Sequence, residues 1–235
     1  MLITGDIAEA PSVSAILREM CNSVKKPIYF VLGNHDYYRS EVDVVKKAME
    51  QLTQDEILLY WLPYSGHQIL DKDIILVGQD GWADGRLGDY HNSRAALNDS
   101  RMIVDLFQAK ILGKNKLLEK MQQLADSDAL QLKSQLEQAI ENQPKKIIIL
   151  THVPPFKESA LFEGKISNDD CLPYFTSKII GDVLAQVASE NPGILFLVFC
   201  GHTHYKALYK PLDNLMVKTG KAEYYRPEIQ EVITL

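Results

Sequence analysis

Several things are scarce in this chain, and each scarcity closes off a class of function. Cysteine is limited to Cys21, Cys171 and Cys200, an odd and scattered set with no paired spacing. That pattern offers no disulfide framework and fits reduced, packed thiols in a cytoplasmic protein. Long apolar runs are missing. The longest, Ile194 to Cys200, has seven residues, against the roughly 20 that a bilayer span requires. Met1-Leu2-Ile3-Thr4-Gly5-Asp6 has neither a charged leader nor a cleavage site, so no signal peptide is expected. Positive charge is in deficit, with 25 Lys and Arg against 31 Asp and Glu, a net charge of -6. This argues against a membrane surface or a long nucleic-acid groove, although a local basic patch stays open. There is no internal repeat and no low-complexity tract.

What is present is an ordinary composition, 46% hydrophobic and 24% charged over 235 residues. That length suits one domain, or one domain with an insertion. Leu2-Ile3-Thr4 reads as a strand closed by Gly5-Asp6. A helix with apolar positions Val13, Ile16, Leu17, Met20 and Val24 follows, capped by Ser12 or Ser14 and stopped by Lys25-Lys26-Pro27. The strand Ile28 to Leu32 completes a β-α-β unit, so a parallel sheet is expected. Ser40 with Asp43 resembles a capping box before a helix burying Val42, Val45, Met49 and Leu52. Leu58 to Leu62, His67 to Leu70 and Ile74 to Val77 read as strands, the last two joined by a hairpin at Asp71-Lys72-Asp73.

A long Gly- and Asp-rich loop spans 78–92, the kind of ordered loop that often carries function. Helices follow from Asn98-Asp99, over 115–125, and over 129–142 with Ser127 as a cap. Together they make a helical insertion at about 93–143 in a single domain over 1–235. A strand at 146–150, a helix at 176–189 and a strand at 194–200, buried on both faces, come next. The tail from Ala207 to Leu235 reads as three short strands.

Chemistry gathers where the strands end. Asp6, Asn34-His35-Asp36, His152, His202 and His204 each follow an apolar run, and four of the six histidines are among them. In open α/β sheets ligands bind at carboxyl ends of strands. An amide oxygen can coordinate a hard metal, an imidazole can hold or protonate an oxygen, and a carboxylate can orient that imidazole. Mixed nitrogen and oxygen donors without thiolates suit Mn, Fe or Zn. A carboxylate bridging two such ions gives the spacing used for displacement at phosphorus.

Gly5-Asp6, Gly33-Asn34-His35-Asp36, a strand-end His152 and Gly201-His202-Thr203-His204, in this order, resemble the calcineurin-like metallophosphoesterases. The resemblance runs from Asp6 to about His204. It implies an α/β fold, a two-sheet β-sandwich flanked by helices. It implies two divalent metal ions, Mn, Fe or Zn, and hydrolysis of a phosphate mono- or diester by a metal-activated water. Asp6 would bridge the metals, Asn34, His152 and His202 would bind one, and His204 the other. His35, oriented by Asp36, would hydrogen-bond the phosphate and assist the leaving oxygen. The family pattern begins with an Asp-x-His strand and a helix, and no Asp-x-His precedes Asp6. One metal would then have only Asp6 and His204 from the protein, and Leu2-Ile3-Thr4 would lose a neighbour in its sheet. The expectation is an N-terminally shortened form of a longer protein, inactive if truncated, the alternative a genuine short form holding one ion, or none tightly. A non-catalytic scaffold on the same fold is the competing function.

Other residues carry weaker expectations. Tyr37, with Tyr38 and Arg39, could line the substrate entrance. Arg86 could clamp a phosphate. His91 could join the site, and Asp80 or Asp84 could replace a missing ligand. Cys200 reads as a packed thiol, and Lys114, Lys116 and Lys120 as a solvated helix face. The expected substrate is a small molecule or a phosphoprotein; the oligomeric state is not indicated.

Overall fold

A computed structural model of the protein describes residues 1–224 and 226–233. The chain opens with β1 (Leu2–Thr4), α1 (Ala10–Val24), β2 (Ile28–Val31), α2 (Val42–Asp55) and β3 (Leu59–Trp61). Both crossovers return in parallel, so these strands form a three-stranded sheet in the order β1-β2-β3. A short α3 (Leu62–Ser65) leads to the antiparallel hairpin β4 (Gln68–Asp71) and β5 (Ile74–Gly78). After a long loop come α4 (Asp99–Met102), α5 (Val104–Ile111), α6 (Lys114–Ile140) and β6 (Lys146–Leu150). The hairpin β7 (Leu161–Phe162) and β8 (Lys165–Ile166), then α7 (Leu172–Phe175) and α8 (Lys178–Glu190), precede β9 (Leu195–Cys200), β10 (Ala207–Leu212) and β11 (Leu215–Thr219). The second sheet has six strands in the order β10-β11-β9-β6-β5-β4.

Alternation within the strands sets the layers, because successive side chains of a strand point to opposite faces. Val31 on β2, Ile74 and Leu76 on β5, and Ile148 and Leu150 on β6 pack with Leu62 in one cluster. Their strand neighbours face outward. Ile28 and Phe30 meet α1 and α2, whereas Ile75, Val77, Ile147, Ile149, Phe196 and Val198 meet α6 and α8. The result is the expected two-sheet sandwich with helices on both sides. Each buried aliphatic side chain contributes about 1.5–3 kcal/mol of transfer free energy. On β9 burial alternates along the strand, so the expectation of a strand covered on both faces gives way to a half-open one.

The helices differ from the sequence reading in instructive ways. Residues 114–140 form one helix where a break at Ser127 was expected. Leu117, Met121, Leu124, Ala125, Asp128, Ala129, Leu132, Leu136 and Ala139 keep one buried face running past that point. Asp128 survives inside that face because its carboxylate accepts the Gly81 N–H at 2.9 Å and lies 3.4 Å from Lys46 Nζ. The Ser40/Asp43 cap is not used. The helix α2 follows Glu41, and Asp105 of α5 accepts the Val42 N–H at 2.8 Å. Helix α1 starts at Ala10 with Pro11 in its first turn, which places Ser12 and Ser14 inside it. Among the described residues the tail forms two strands where three were expected. Residues 226–233 carry no strand, and Thr234 and Leu235 lie outside the described residues.

Candidate metal centre

The strand ends of both sheets meet at one seam. The ring Nδ1 of His152, after β6, donates to Thr4 O of β1 at 2.7 Å, which joins the two sheets directly. Backbone approach there is close enough to require glycine. A Cβ on Gly33 would run into Asp6 Oδ1 and His152 Cε1, and one on Gly5, at φ +95°, would strike Gly33. Asp6, His202 and His204 have φ of 55°, 69° and 62°. A left-handed backbone at a non-glycine residue costs about 1–3 kcal/mol and clusters at functional sites.

Four donors converge at this seam. His152 Nε2 lies 3.0 Å from Asn34 Oδ1, 3.2 Å from His202 Nδ1 and 3.4 Å from Asp6 Oδ1, and Asn34 Oδ1 lies 3.0 Å from His202 Nδ1. Their far sides fix what they present. Thr4 O can only accept, so Nδ1 of His152 carries a proton and Nε2 is the ring nitrogen turned inward. Tyr174 O accepts from His202 Nε2 at 2.9 Å, which leaves His202 Nδ1 bare. Burial, reinforced by the His152 ring, pulls the His202 pKa down to about 4, so this imidazole is neutral at pH 7. Asn34 Nδ2 donates to Asp99 Oδ1 at 2.7 Å, so its oxygen is the atom facing the imidazoles. Burial opposes ionisation of Asp6, but the His152, His35 and His202 rings and the His35 N–H outweigh it and hold its carboxyl below the usual range.

Nitrogen and oxygen atoms of four side chains thus face one another at 3.0–3.4 Å, an arrangement that suits a cation. The donor chemistry and spacing fit a divalent metal. Ligands about 2.1 Å from an ion stand roughly 3.0 Å apart in an octahedron and 3.4 Å apart in a tetrahedron. Among the described residues no three His, Cys, Asp or Glu side chains make such a cluster by themselves; the amide of Asn34 is what completes the set.

Asp36 does something other than expected. It is fully buried, and its carboxylate accepts the N–H groups of Ile7 and Ala8 on one oxygen and of Gly33 on the other, each at 2.8 Å. It ties the loop after β1 to the loop after β2 and does not orient His35. The His35 ring is instead stacked on Tyr38, centroids 4.4 Å apart, with its backbone N–H on Asp6 Oδ1 at 3.1 Å. Tyr38 in turn donates its hydroxyl to Asp99 Oδ1 at 2.7 Å. His204 stands at the outer side, edge-on to Tyr224 at 5.0 Å. Burial lowers its pKa against the pull of Asp6.

Tyr37, Arg86 and His91 do not line this site. Tyr37 is a core residue whose hydroxyl donates to Asp80 Oδ2 at 2.6 Å. Arg86 is held by Asp84 at 3.2 Å and Asp126 at 2.8 Å, so its fork is already occupied. His91 is exposed and packs edge-on against Tyr90 at 5.8 Å, with its carbonyl accepting from Lys114. Arg39 is exposed and pairs with Glu9 at 2.8 Å. Asp84 accepts the Arg86 and Ile179 N–H groups, so it is no substitute ligand. Asp80 lies beneath the seam, accepting Leu32 N–H at 2.7 Å and Trp61 Nε1–H at 3.0 Å, while its carbonyl accepts His152 N–H at 2.8 Å. Cys200 is a packed thiol that burial pushes up to about 12. Lys120 reaches Asp105 at 3.2 Å, and Lys116 pairs with Glu119. Sequence reasoning missed Asp99, whose place in a polar stretch reads only as a helix start. It also missed the carbonyls of Thr4 and Tyr174, which no side-chain pattern can signal.

The model of a family described as calcineurin-like phosphoesterase matches residues 1–206. Among solved structures, a dimetal phosphatase from Danio rerio is similar at 14% identity and a TM-score of 0.57, with 94% of this chain and 71% of that one covered. At that identity the likeness speaks for the fold alone. A search of curated proteins finds no match.

Proposed function

The chain belongs to the calcineurin-like phosphoesterase family, and from that premise we propose that it hydrolyses a phosphate mono- or diester with metal-activated water. The observation that carries this reading is the convergence of Asn34, His152, His202 and Asp6 donor atoms at 3.0–3.4 Å. These four residues would hold one Mn, Fe or Zn ion. Asp6 and His204 would hold a second ion more weakly. A bound divalent ion supplies hydroxide at neutral pH and offsets charge on phosphate oxygens.

The protein's own part is placement and proton transfer. Left-handed turns at Asp6, His202 and His204 present their side chains together. The stack on Tyr38 holds the His35 ring beside Asp6, where it hydrogen-bonds the phosphate and protonates the leaving oxygen. The substrate is a small molecule or a phosphoprotein, since the acidic balance opposes a long nucleic acid. The free Cys21, Cys171 and Cys200 support a reducing cytoplasmic setting, and among the described residues no helix is long and apolar enough to cross a membrane.

The test is turnover of an aryl phosphate monoester and diester by protein loaded with Mn or Fe. Metal-dependent release of the aryl alcohol is expected, and loaded protein inert on both esters would overturn catalysis. The second reading, a scaffold, is favoured by the thin Asp6–His204 half of the site. It predicts a protein that folds and binds its partner equally well in chelator.

A further inference from the structure

We propose that Asp99 is a positioning residue that sets the amide of Asn34 oxygen-inward for the metal and, through Tyr38, holds His35 beside it. The inference rests on the metal-centre reading above. An amide is nearly symmetric in shape, so Asn34 fits equally well with Oδ1 or Nδ2 facing His152 and His202. With Nδ2 inward it would aim hydrogens at the ion. What decides between the two is the partner on the far side. Behind Asn34 and Asp99 lies a cavity of about 30 Å³ whose wall includes the apolar Leu97, Leu106, Leu117 and Met121 and the polar Asp80 and Ser100. The apolar side chains accept no hydrogen bond, Asp80 is engaged by Leu32, Tyr37 and Trp61, and Ser100 by the Leu97 carbonyl. Asp99 Oδ1 accepts from Asn34 Nδ2 at 2.7 Å and from the Tyr38 hydroxyl at 2.7 Å. Both of these bonds end on an accepting carboxyl oxygen, so the donating end of the amide is the one turned away from the imidazoles.

The same oxygen reaches His35 indirectly. Asn34 Nδ2 also lies 3.3 Å from the Tyr38 hydroxyl, which closes a triangle of three side chains. The ring of Tyr38, pinned by its hydroxyl, lies nearly flat on His35 at an interplanar angle of 24°. One carboxylate, 65 residues along the chain from Asn34, therefore sets both a ligand and the proton donor.

The decisive measurement is cobalt(II) titration followed by its visible d–d absorption, read beside steady-state kinetics on an aryl phosphate. Wild-type protein takes up Co²⁺. Asp99→Ala is expected to weaken Co²⁺ binding about 10–100-fold, the usual cost of losing a ligand's outer partner. Asp99→Asn keeps an acceptor oxygen but adds an amide that can also donate, so it is expected to bind Co²⁺ less tightly than wild type and more tightly than Asp99→Ala. Tyr38→Leu keeps Co²⁺ affinity and loses kcat, with the acid-dependent limb of the pH profile displaced. Should Asp99→Ala fail to fold, Asp99→Thr, nearer in volume, is expected to show the same loss. Cobalt affinity of either variant equal to wild type overturns the assignment, as does an Asp99→Asn protein no better than Asp99→Ala. Wild-type protein that takes up no cobalt overturns the metal-centre reading itself, and this assignment with it.

Discussion

The two sides of the seam are built to different standards. On the inner side, Asn34, His152 and His202 are each braced from behind: by Asp99, by the Thr4 carbonyl and by the Tyr174 carbonyl. On the outer side, His204 is half-buried, meets Tyr224 edge-on and feels the charge of Asp6. A donor whose orientation is fixed before the ion arrives loses little freedom on binding. The difference teaches that affinity should be divided unequally, with one ion held firmly and another loosely.

The sharpest way to break that comparison is to remove an inner donor. Asn34→Ala or His152→Ala should reduce metal affinity by more than about 100-fold, beyond the range for outer partners, as read by metal content after gel filtration. If either variant kept its metal, the inner side would not be the firm one. His35→Ala should leave metal content unchanged and lower kcat by about 10²–10⁴-fold, the usual worth of a positioned acid. His204→Ala should retain one tight ion per chain and lose only the loose one, a result that equilibrium dialysis separates. Asp36→Asn tests the reassignment of that carboxylate. It leaves a donor facing the Gly33 N–H and should cost on the order of 1–3 kcal/mol of stability in denaturant melts.

The smallest effect concerns the floor beneath the inner side. Burial and the like charge of Asp128 push the Asp80 carboxyl up to about 6. A carboxyl that holds its proton more tightly folded than unfolded gives stability that is complete below about pH 4 and is lost as pH rises through its folded pKa. Unfolding free energy should therefore carry a falling component between pH 4 and pH 7. Asp128→Asn removes the neighbouring charge and should make that fall shallower.

Much of this was legible in the chain, and the failures have physical causes. Apolar runs of three to seven residues followed by Gly, Asn, Asp or His announced the sheets and the seam, because a strand buried in a sandwich has little choice of composition. The role of Asp36 was misread because adjacency to His35 in sequence says nothing about direction in a tight turn, where three backbone N–H groups were closer. Tyr37 and Tyr38 look alike in sequence, yet one supports the core and the other stacks on His35. Ser127 resembled a cap, but the continuous buried face of α6 and the bonds made by Asp128 override a local preference. Asp99 acts across 65 residues, a distance at which local pattern carries no signal.

The bond between Thr4 and the ring of His152 spans 148 positions, and the close approach of Asn34 to His202 spans 168. Contacts so far apart along a polymer close late, after the entropy of joining its ends has been overcome. Residues as far apart as Thr4 and His202 must therefore be in place before these side chains can close around a cation. A cation held at this seam would reward correct assembly but could not guide its beginning.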